Sequence, residues 1–350
     1  MRIGMPIEYS GGFTETVERL VEYERAGVDV VFVPEAYTFD SVSQLGYLAA
    51  KTDRVRIASS ILNIYSRTPA LLAMTAAGLD YVSGGRFELG IGASGPQVVE
   101  GFHGVRFDGA LGRTREIVEI CRAVWRREPL THDGRHYHVP LGPEHGGSGL
   151  GKPLKLINRP MRDRVPMTLA ALGEKSVALA AELFEGWQPI FYLPEAAQAA
   201  FGPALAEGAA RRDDGLGPLD IIAQTYVAIS EDAAESDAAR QVVRDHVALY
   251  AGGMGARGKN FYNALIGRFG FEAAAKEVQD LYLDGRKAEA AAAVPDELVA
   301  GLALIGTPSE VEERIAAFRQ SGATTLNVRP LAVTHEARVR DMALLKEWSS

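Results

Sequence analysis

The segment Gly90-Ile91-Gly92-Ala93-Ser94-Gly95 follows a short β-rich run and matches the G-x-G-x-x-G pattern of dinucleotide-binding turns. That turn needs a helix that opens on its glycines, yet Pro96 and a loop-like stretch separate them from the next predicted helix. It also needs an acidic residue at the end of the following strand, and Glu116, at a suitable distance, falls inside a predicted helix. The context therefore excludes a Rossmann turn. Glycines at a strand end instead let backbone N–H groups approach an anion or a planar ring.

A second loop of this kind, Gly173-Glu174-Lys175-Ser176, connects a predicted strand to a predicted helix. Free N–H groups at a helix N-terminus, together with the Lys175 ammonium and the Ser176 hydroxyl, suit a phosphate group. The alternative is an ordinary turn that ends in a helix cap. Two such loops on one rim favour the anion site.

Three side chains are candidates for moving a proton. Glu35 ends an apolar strand and could hydrogen-bond a cofactor ring or shuttle a proton, or else cap the next helix or pair with Arg67. His103 follows the glycine loop and is either an acid/base group or a loop cap. Tyr65 is a further proton source.

The histidines 132, 136, 138 and 145 resemble metal ligands at first sight, and His136 and His138 would share a strand face. No cysteine or paired carboxylate accompanies them, and Asp133-Gly134 explains the segment as a hairpin turn, so we expect no metal. The single cysteine, Cys121, excludes an intrachain disulfide and lies on the inner face of a helix, which makes a nucleophilic role improbable.

The elements that must position these residues alternate along the chain. Strands are predicted at 2–7, 28–34, 55–60, 86–92, 166–171, 186–191, 221–229 and 324–328, and each is followed by a helical pattern. Thr307, Pro308 and Glu310 form a complete helix start with a capping box. A repeated βα order with eight strands predicts a TIM (β/α)8 barrel that spans 1–350 as one domain, with insertions at about 130–165 and 235–300. The competitor is an open doubly wound sheet.

In a barrel the residues after each strand converge on the active site. The predicted rim comprises Glu8, Tyr9, Glu35, Ala36, Tyr37, Ser60, Ile61, Leu62, Asn63, Ala93, Ser94, Ala171, Leu172, Gly173, Phe191, Tyr192, Thr225 and Asn327. Tyr37, Tyr65, Trp187 and Tyr192 could form a stacking wall for a flat ring, although each aromatic is more often a core residue.

The charge balance restricts the partners. Lys and Arg number 37 against 45 Asp and Glu, a net charge of −8. A mildly acidic chain with scattered basic residues is a poor partner for nucleic acid or anionic lipid, so we expect a small-molecule substrate. No apolar run is long enough to span a membrane, and a cytoplasmic location is expected.

Several segments resemble the luciferase-like monooxygenase superfamily, and within it the oxidoreductases that depend on the deazaflavin coenzyme F420. They are VFVPEAY, RVRIASSILNIYSRTPALLAM, LDYVSGGRFELGIGASGPQVVEGFHG and GWQPIFY, and the resemblance covers nearly the whole chain. It implies a dimeric barrel that holds the cofactor at the carboxyl-terminal rim. It also implies a cis peptide bond at Ser60-Ile61, followed by Asn63, behind the deazaflavin ring. The phosphate and tail contacts would come from Gly92, Ala93, Ser94 and Gly95 and from Gly173, Glu174, Lys175 and Ser176.

One departure from the family pattern bears on the reaction. Members that oxidise sugar phosphates or alcohols carry an acid-histidine pair after strand two, where this chain has Glu35 and Ala36. Without the imidazole, the resemblance favours hydride delivery from reduced F420 to an activated C=C or C=N bond, with the proton from water, Tyr65, His103 or Glu35. The alternatives are an FMN-dependent monooxygenase, whose single phosphate would suit the Lys175 loop, and a non-catalytic binding or partner subunit.

Overall fold

Parallel strands joined by helices form a barrel in the computed structural model, which describes residues 1–8 and 12–350. The strands are β1 (Arg2–Pro6), β2 (Val30–Val33), β3 (Arg56–Ser59), β4 (Leu62–Asn63), β5 (Phe87–Gly92), β6 (His132–Asp133), β7 (His138–Val139), β8 (Met167–Ala170), β9 (Gly186–Gln188), β10 (Asp220–Ile229), β11 (Leu304–Gly306) and β12 (Thr325–Pro330). Hydrogen-bonded neighbours follow the order β1-β2-β3-β5-β8-β9-β10-β12, and β12 pairs with β1. Eight of the described strands thus close a parallel cylinder, which confirms the predicted TIM barrel and excludes the open sheet.

Helices surround this cylinder. They are α1 (Phe13–Arg25), α2 (Ser41–Lys51), α3 (Pro69–Val82), α4 (Pro96–Val99), α5 (Ala110–Trp125), α6 (Glu174–Leu183), α7 (Pro194–Ala209), α8 (Ala233–Ala248), α9 (Phe261–Ile266), α10 (Glu272–Leu283), α11 (Lys287–Ala292), α12 (Asp296–Leu302), α13 (Pro308–Gln320) and α14 (His335–Trp348). The capping box of Thr307 and Glu310 starts α13 as predicted. The stretch expected to be a loop after the glycine motif contains the single turn α4, which Pro96 begins.

The two insertions differ in structure. The first contains the antiparallel pair β6-β7, in which Asp133 lies opposite His138. The second contains most of α8, all of α9 to α11 and most of α12, with π-helical turns at Leu249–Gly253 and Gly267–Phe271. The treatment of 1–350 as one domain stays a prediction. No helix among the described residues is long and apolar enough to cross a membrane.

The main core lies between the cylinder and its helices. Alternate strand residues such as Leu89, Ile91 and Leu169 face outward and are almost completely buried, each with about 25 cal/mol of stabilisation per Å² of apolar surface. Inside the cylinder a separate small cluster contains Val30, Phe32, Ala58 and Ile222.

A charged floor closes the amino-terminal end of the cylinder. Arg2 donates to Glu88 at 2.7 Å and to Asp220 at 2.5 Å, and Arg56 also donates to Glu88. Burial alone would raise the pKa of Glu88, but the two guanidinium groups outweigh it and lower that pKa. With this end filled by ion pairs, a ligand must enter from the opposite end.

Candidate functional site

The two glycine-containing loops lie side by side at the carboxyl end of the barrel. β5 and β8 are parallel neighbours, and Ile91 lies opposite Leu169. The loops that begin at Gly92 and at Ala171 therefore leave adjacent strands at the same end. The two loops therefore lie at one end of the barrel, as predicted, and we call this carboxyl-terminal opening the mouth.

A bulge between β3 and β4 explains the first two glycines of the motif. The Ser60-Ile61 peptide bond is cis, as the resemblance implied. A Cβ atom on Gly90 would lie 2.0 Å from the Ser59 carbonyl oxygen, and one on Gly92 would lie 3.0 Å from the Ile61 Cδ1 atom. The Ser59 hydroxyl also donates to the Gly90 carbonyl and accepts from its N–H, each at 2.9 Å. Gly90 is thus needed for the close approach of the bulge, whereas a side chain at Gly92 would require Ile61 to shift by a few tenths of an ångström.

Polar groups in the mouth have unused hydrogen-bonding capacity. The Ser60 hydroxyl donates to Gln188 Oε1 at 3.1 Å, and Asn63 Oδ1 accepts from the Tyr65 N–H at 2.9 Å. Asn63 Nδ2 and Asn327 Oδ1 are buried without a partner among the residues that the structure describes. A buried polar atom without a partner costs free energy, so these atoms indicate a ligand or an ordered water.

The start of α6 is a suitable anion seat. Its N-cap residue, Gly173, has no side chain to cap the helix, and the N–H groups of Glu174 and Lys175 have no partner within 1–8 and 12–350. Lys175 is exposed. From the second insertion, Arg268 donates to the Leu172 carbonyl at 2.6 Å, which places a second cation beside this helix start. Free N–H groups and two cations together attract a phosphate or carboxylate.

Glu35 is held in an ion pair. Arg67 donates to both of its carboxylate oxygens at 2.6 and 2.9 Å, and the Ser41 N–H donates at 3.0 Å. Both side chains are nearly buried, at 10% and 12% exposure. The carboxylate therefore also caps α2. The structure gives Glu35 both of the alternative roles named for it, helix cap and partner of Arg67, and leaves little capacity for shuttling a proton.

The other two proton candidates differ in how they are held. The Tyr65 hydroxyl donates to the Asp108 carbonyl at 2.7 Å, and burial raises the pKa of Tyr65 to about 12. His103 is partly exposed, and its ring contacts Phe102, which in turn lies 6.3 Å from the Tyr37 ring. His103 thus stays near the mouth, whereas the Tyr65 hydroxyl is already engaged.

The opposite wall of the mouth is polar and aromatic. Tyr226 on β10 lies opposite Arg329 on β12, and Arg329 pairs with Glu8 just after β1 at 2.8 Å. The Tyr226 hydroxyl is hydrogen-bonded to His246 of α8. Burial, and then the charge of Arg329, lower the pKa of His246 to about 4, so its ring is neutral near pH 7.

Comparison with known proteins identifies the family. The model of the luciferase-like monooxygenase family matches residues 1–325. The chain belongs to this family. It is 41% identical, over 99% of both chains, to a Mycobacterium tuberculosis protein described as a candidate coenzyme F420-dependent oxidoreductase. It is 28% identical to the 5,10-methylenetetrahydromethanopterin reductase of Archaeoglobus fulgidus, over 86% of this chain and 85% of the relative.

A solved structure of the family supports the fold. The coenzyme F420-dependent tetrahydromethanopterin reductase of Methanopyrus kandleri superposes with a TM-score of 0.80 at 19% identity, over 99% of this chain and 97% of that chain. At this identity the likeness establishes the barrel shared by luciferase-like proteins and nothing about the substrate.

Some predicted rim residues of this luciferase-like barrel point elsewhere. The prediction that Thr225 lies on the rim is wrong by one residue. Thr225 faces outward, is fully buried and donates to the Leu302 carbonyl at 2.9 Å. Its inward neighbour Tyr226 was missed, although strand alternation could have indicated it. Trp187 donates to the Ala171 carbonyl and Tyr192 to the Ser321 carbonyl, so both pack between strands and helices and form no stacking wall. Tyr9 lies outside the described residues.

The histidines of the first insertion lie in or beside the β6-β7 hairpin, which Glu116 holds by hydrogen bonds. Glu116 accepts the N–H groups of Arg135, His136 and Tyr137 and contacts the His132 ring at 3.2 Å. Ligand atoms of Asp133, His138 and His145 lie within 4.8 Å of one another at the surface. Asp133 already contacts His138 Nδ1 at 2.8 Å, and the His138 and His145 rings stack with parallel planes rather than converging on a point. The expectation of no metal stays a prediction.

Proposed function

We propose that this luciferase-like protein is an F420-dependent oxidoreductase that reduces an activated C=C or C=N bond of a small organic molecule. The Mycobacterium tuberculosis relative, which is 41% identical over 99% of both chains, is named for F420. The observation that carries the direction of the reaction is the state of Glu35. Arg67 and Ser41 occupy its carboxylate, and the next residue, Ala36, has no ionisable group. Alcohol oxidation needs a base for the hydroxyl proton, and this position does not supply one.

The residues at the mouth fit a deazaflavin nucleotide. Gly92 and Ala170 lie near each other on the rim, where a Cβ atom on Gly92 would be 3.6 Å from the Ala170 methyl group, so these two positions contribute no side chain larger than a methyl group beside Ile61. The Asn63 amide nitrogen, which has no partner in the described part of the chain, is a donor for a ring carbonyl. The start of α6 with Lys175 and Arg268 would hold the anionic part of the cofactor.

When bound, reduced F420 supplies a hydride. An unsaturated substrate would accept that hydride at its electrophilic carbon and a proton, from water or from His103, at the neighbouring carbon or nitrogen. Hydride and proton together add two hydrogens across the bond, so the product carries the same net charge as the substrate. Tyr65 is a poor donor for this step because burial raises its pKa to about 12 and its hydroxyl donates to a carbonyl.

We also propose a homodimer in the cytoplasm. One face of α3 exposes Leu71, Met74, Tyr81 and Val82 at 48%, 52%, 69% and 58%, a helical spacing that leaves an apolar stripe in water. A second copy of the chain would bury this stripe. Cys121 is buried and free, which suits a reducing compartment.

The test combines cofactor and acceptor. Reduced F420 is mixed with the purified protein and cyclohex-2-enone, a cyclic imine or no acceptor, and its oxidation is followed by absorbance. Enzyme-dependent oxidation with the enone or imine supports the proposal. Reduction of F420 by 2-propanol with both acceptors inert would contradict it, and oxygen-dependent turnover with reduced FMN would favour the monooxygenase instead. Failure to bind either cofactor would favour a partner subunit.

A further inference from the structure

A neutral histidine and a tyrosine form a hydrogen-bonded pair in the wall of the mouth. Neither residue is among those proposed above to bind the cofactor. Tyr226 is 2% exposed and points inward from β10, and its hydroxyl is hydrogen-bonded to His246 Nδ1. His246 is partly exposed, although its ring contacts those of Phe191 and Tyr250 at centroid distances of 6.0 and 4.6 Å. We call the surroundings of this partly exposed ring, formed by Phe191, Tyr226 and Tyr250, the recess.

The pair lies at the level of the reacting end of the barrel. Tyr226 is level with Arg329, and Arg329 pairs with Glu8, two residues beyond the end of β1. Tyr250 follows α8, and burial raises its pKa, with a smaller opposing effect of the nearby Arg329 and a smaller raising effect of Tyr37. Tyr37 comes from the loop after β2, so the recess is bounded by elements from both sides of the mouth.

The hydrogen bond determines which proton His246 carries. Burial strongly raises the pKa of Tyr226 and lowers that of His246 to about 4, so both groups are neutral near pH 7. Arg329 lowers the pKa of His246 further, which also opposes protonation. A neutral pair can bond with either group as the donor, but the buried Tyr226 hydroxyl has no other acceptor among the described residues. Donation of its O–H to Nδ1 leaves no buried hydroxyl proton unpaired, and the imidazole proton is then on Nε2. Nε2 has no partner among the residues in 1–8 and 12–350.

We propose that His246 donates its Nε2–H to a carbonyl oxygen conjugated with the reducible bond, and that Tyr226 is the positioning residue that fixes this tautomer. The proposal rests on the proposed function and narrows its substrate to a flat α,β-unsaturated carbonyl compound. Hydride addition to the β-carbon breaks the C=C π bond and moves its electron pair toward the carbonyl oxygen, where a neutral donor stabilises the developing negative charge. Solvent then protonates the α-carbon.

The aromatic lining agrees with a flat substrate. The His246 ring meets Phe191 edge-to-face at 6.0 Å and Tyr250 at a tilt of 54° and 4.6 Å. Tyr262 extends this aromatic group through an edge-to-face contact with Tyr250 at 4.9 Å and 88°. Burial raises the pKa of Tyr262 to about 12, so it stays neutral as well. In this part of the recess the one fixed charge named above, Arg329, is paired with Glu8. An uncharged unsaturated carbonyl compound suits these surroundings better than a phosphorylated one.

The first experiment reads the tautomer without turnover. Long-range ¹H–¹⁵N NMR of ¹⁵N-histidine-labelled protein is expected to show His246 protonated on Nε2 only, and Y226F is expected to show mixed tautomers. Cyclohex-2-enone should shift the Nε2 resonance of the wild type, whereas cyclohexene, which lacks the carbonyl, should not. A His246 ring protonated on Nδ1, or equal shifts of its resonance with both compounds, would overturn the proposal.

The second experiment measures reduction of cyclohex-2-enone by reduced F420. H246F removes both ring nitrogens, and we expect its kcat to fall about 100-fold with little change in F420 binding. H246Q restores an N–H near the Nε2 position and should recover part of this loss, which a merely structural role would not produce. Y226F/H246F leaves neither partner unpaired and should fold like the wild type while remaining as slow as H246F. A double variant with wild-type kcat would overturn this inference but leave the proposed function intact, whereas a wild type inert with every acceptor would overturn the proposed function itself.

Discussion

Gly90 gives the sharpest test of how the glycine motif is interpreted, because the structure predicts a steric rather than an anion-binding role for it. In Gly90→Ala the new Cβ atom would start 2.0 Å from the Ser59 carbonyl oxygen, and contacts below 3.0 Å are essentially never seen. The backbone of β3 or β5 must therefore move by about 1 Å or more at a point where Ser59 makes two hydrogen bonds to Gly90. Overpacking against side chains typically costs about 1–3 kcal/mol, so an obstacle made of backbone should cost at least about 3 kcal/mol.

Gly95→Ala is the matched control for this change. Gly95 has φ −129° and ψ 161°, which any residue adopts, and no heavy atom would lie within 4 Å of its Cβ. Its free energy of unfolding should stay within about 0.5 kcal/mol of the wild type. Urea unfolding followed by circular dichroism measures both variants. Equal stability of Gly90→Ala and the wild type would refute the steric reasoning and return the motif to an anion-binding role alone.

Two further predictions concern charged groups. Arg67→Met leaves the nearly buried Glu35 carboxylate without its partner and should cost about 3 kcal/mol of unfolding free energy. Arg126→Met is the control, because its pair with Glu128 is about half exposed at 47% and 50%, and it should cost less than about 1 kcal/mol. Similar losses in the two variants would contradict the structural role of Glu35. His246 has its pKa lowered to about 4 when folded, so below pH 6.5 the unfolded chain takes up a proton that the folded chain does not, and stability falls with pH. Between pH 7 and pH 5 the wild type should lose about 2 kcal/mol more than H246F, and parallel urea-unfolding curves for the two proteins would contradict this.

The barrel could be predicted because its signals are local. Apolar runs such as 28–34, with helical periods between them, need no knowledge of the rest of the chain. The carboxyl ends of adjacent strands must then share one rim, which is why Gly92 and Gly173 could be placed at one mouth before the structure was known. The capping box at Thr307 was equally local.

The site was predicted less completely because its contacts are distant in sequence. Arg268 reaches the loop before α6 from an insertion 96 residues further along the chain, and no pattern around it indicates this contact. Tyr226 was missed through a shift of one residue on β10, which exchanges the inner and outer faces of a strand. The steric role of Gly90 was missed because the approach of Ser59 depends on a bulge that spacing alone does not reveal.

The most direct test of the central claim is titration of the cofactor-free protein with F420 and, separately, with FMN, followed by fluorescence. F420 should bind more tightly than FMN, because the anion seat at α6 extends to the second cation, Arg268. Arg268→Met should weaken F420 binding about 10-fold and FMN binding less, because one buried charge-assisted contact is worth about 1.5–3 kcal/mol. Tighter binding of FMN than of F420, or binding of F420 that Arg268→Met leaves unchanged, would contradict the account.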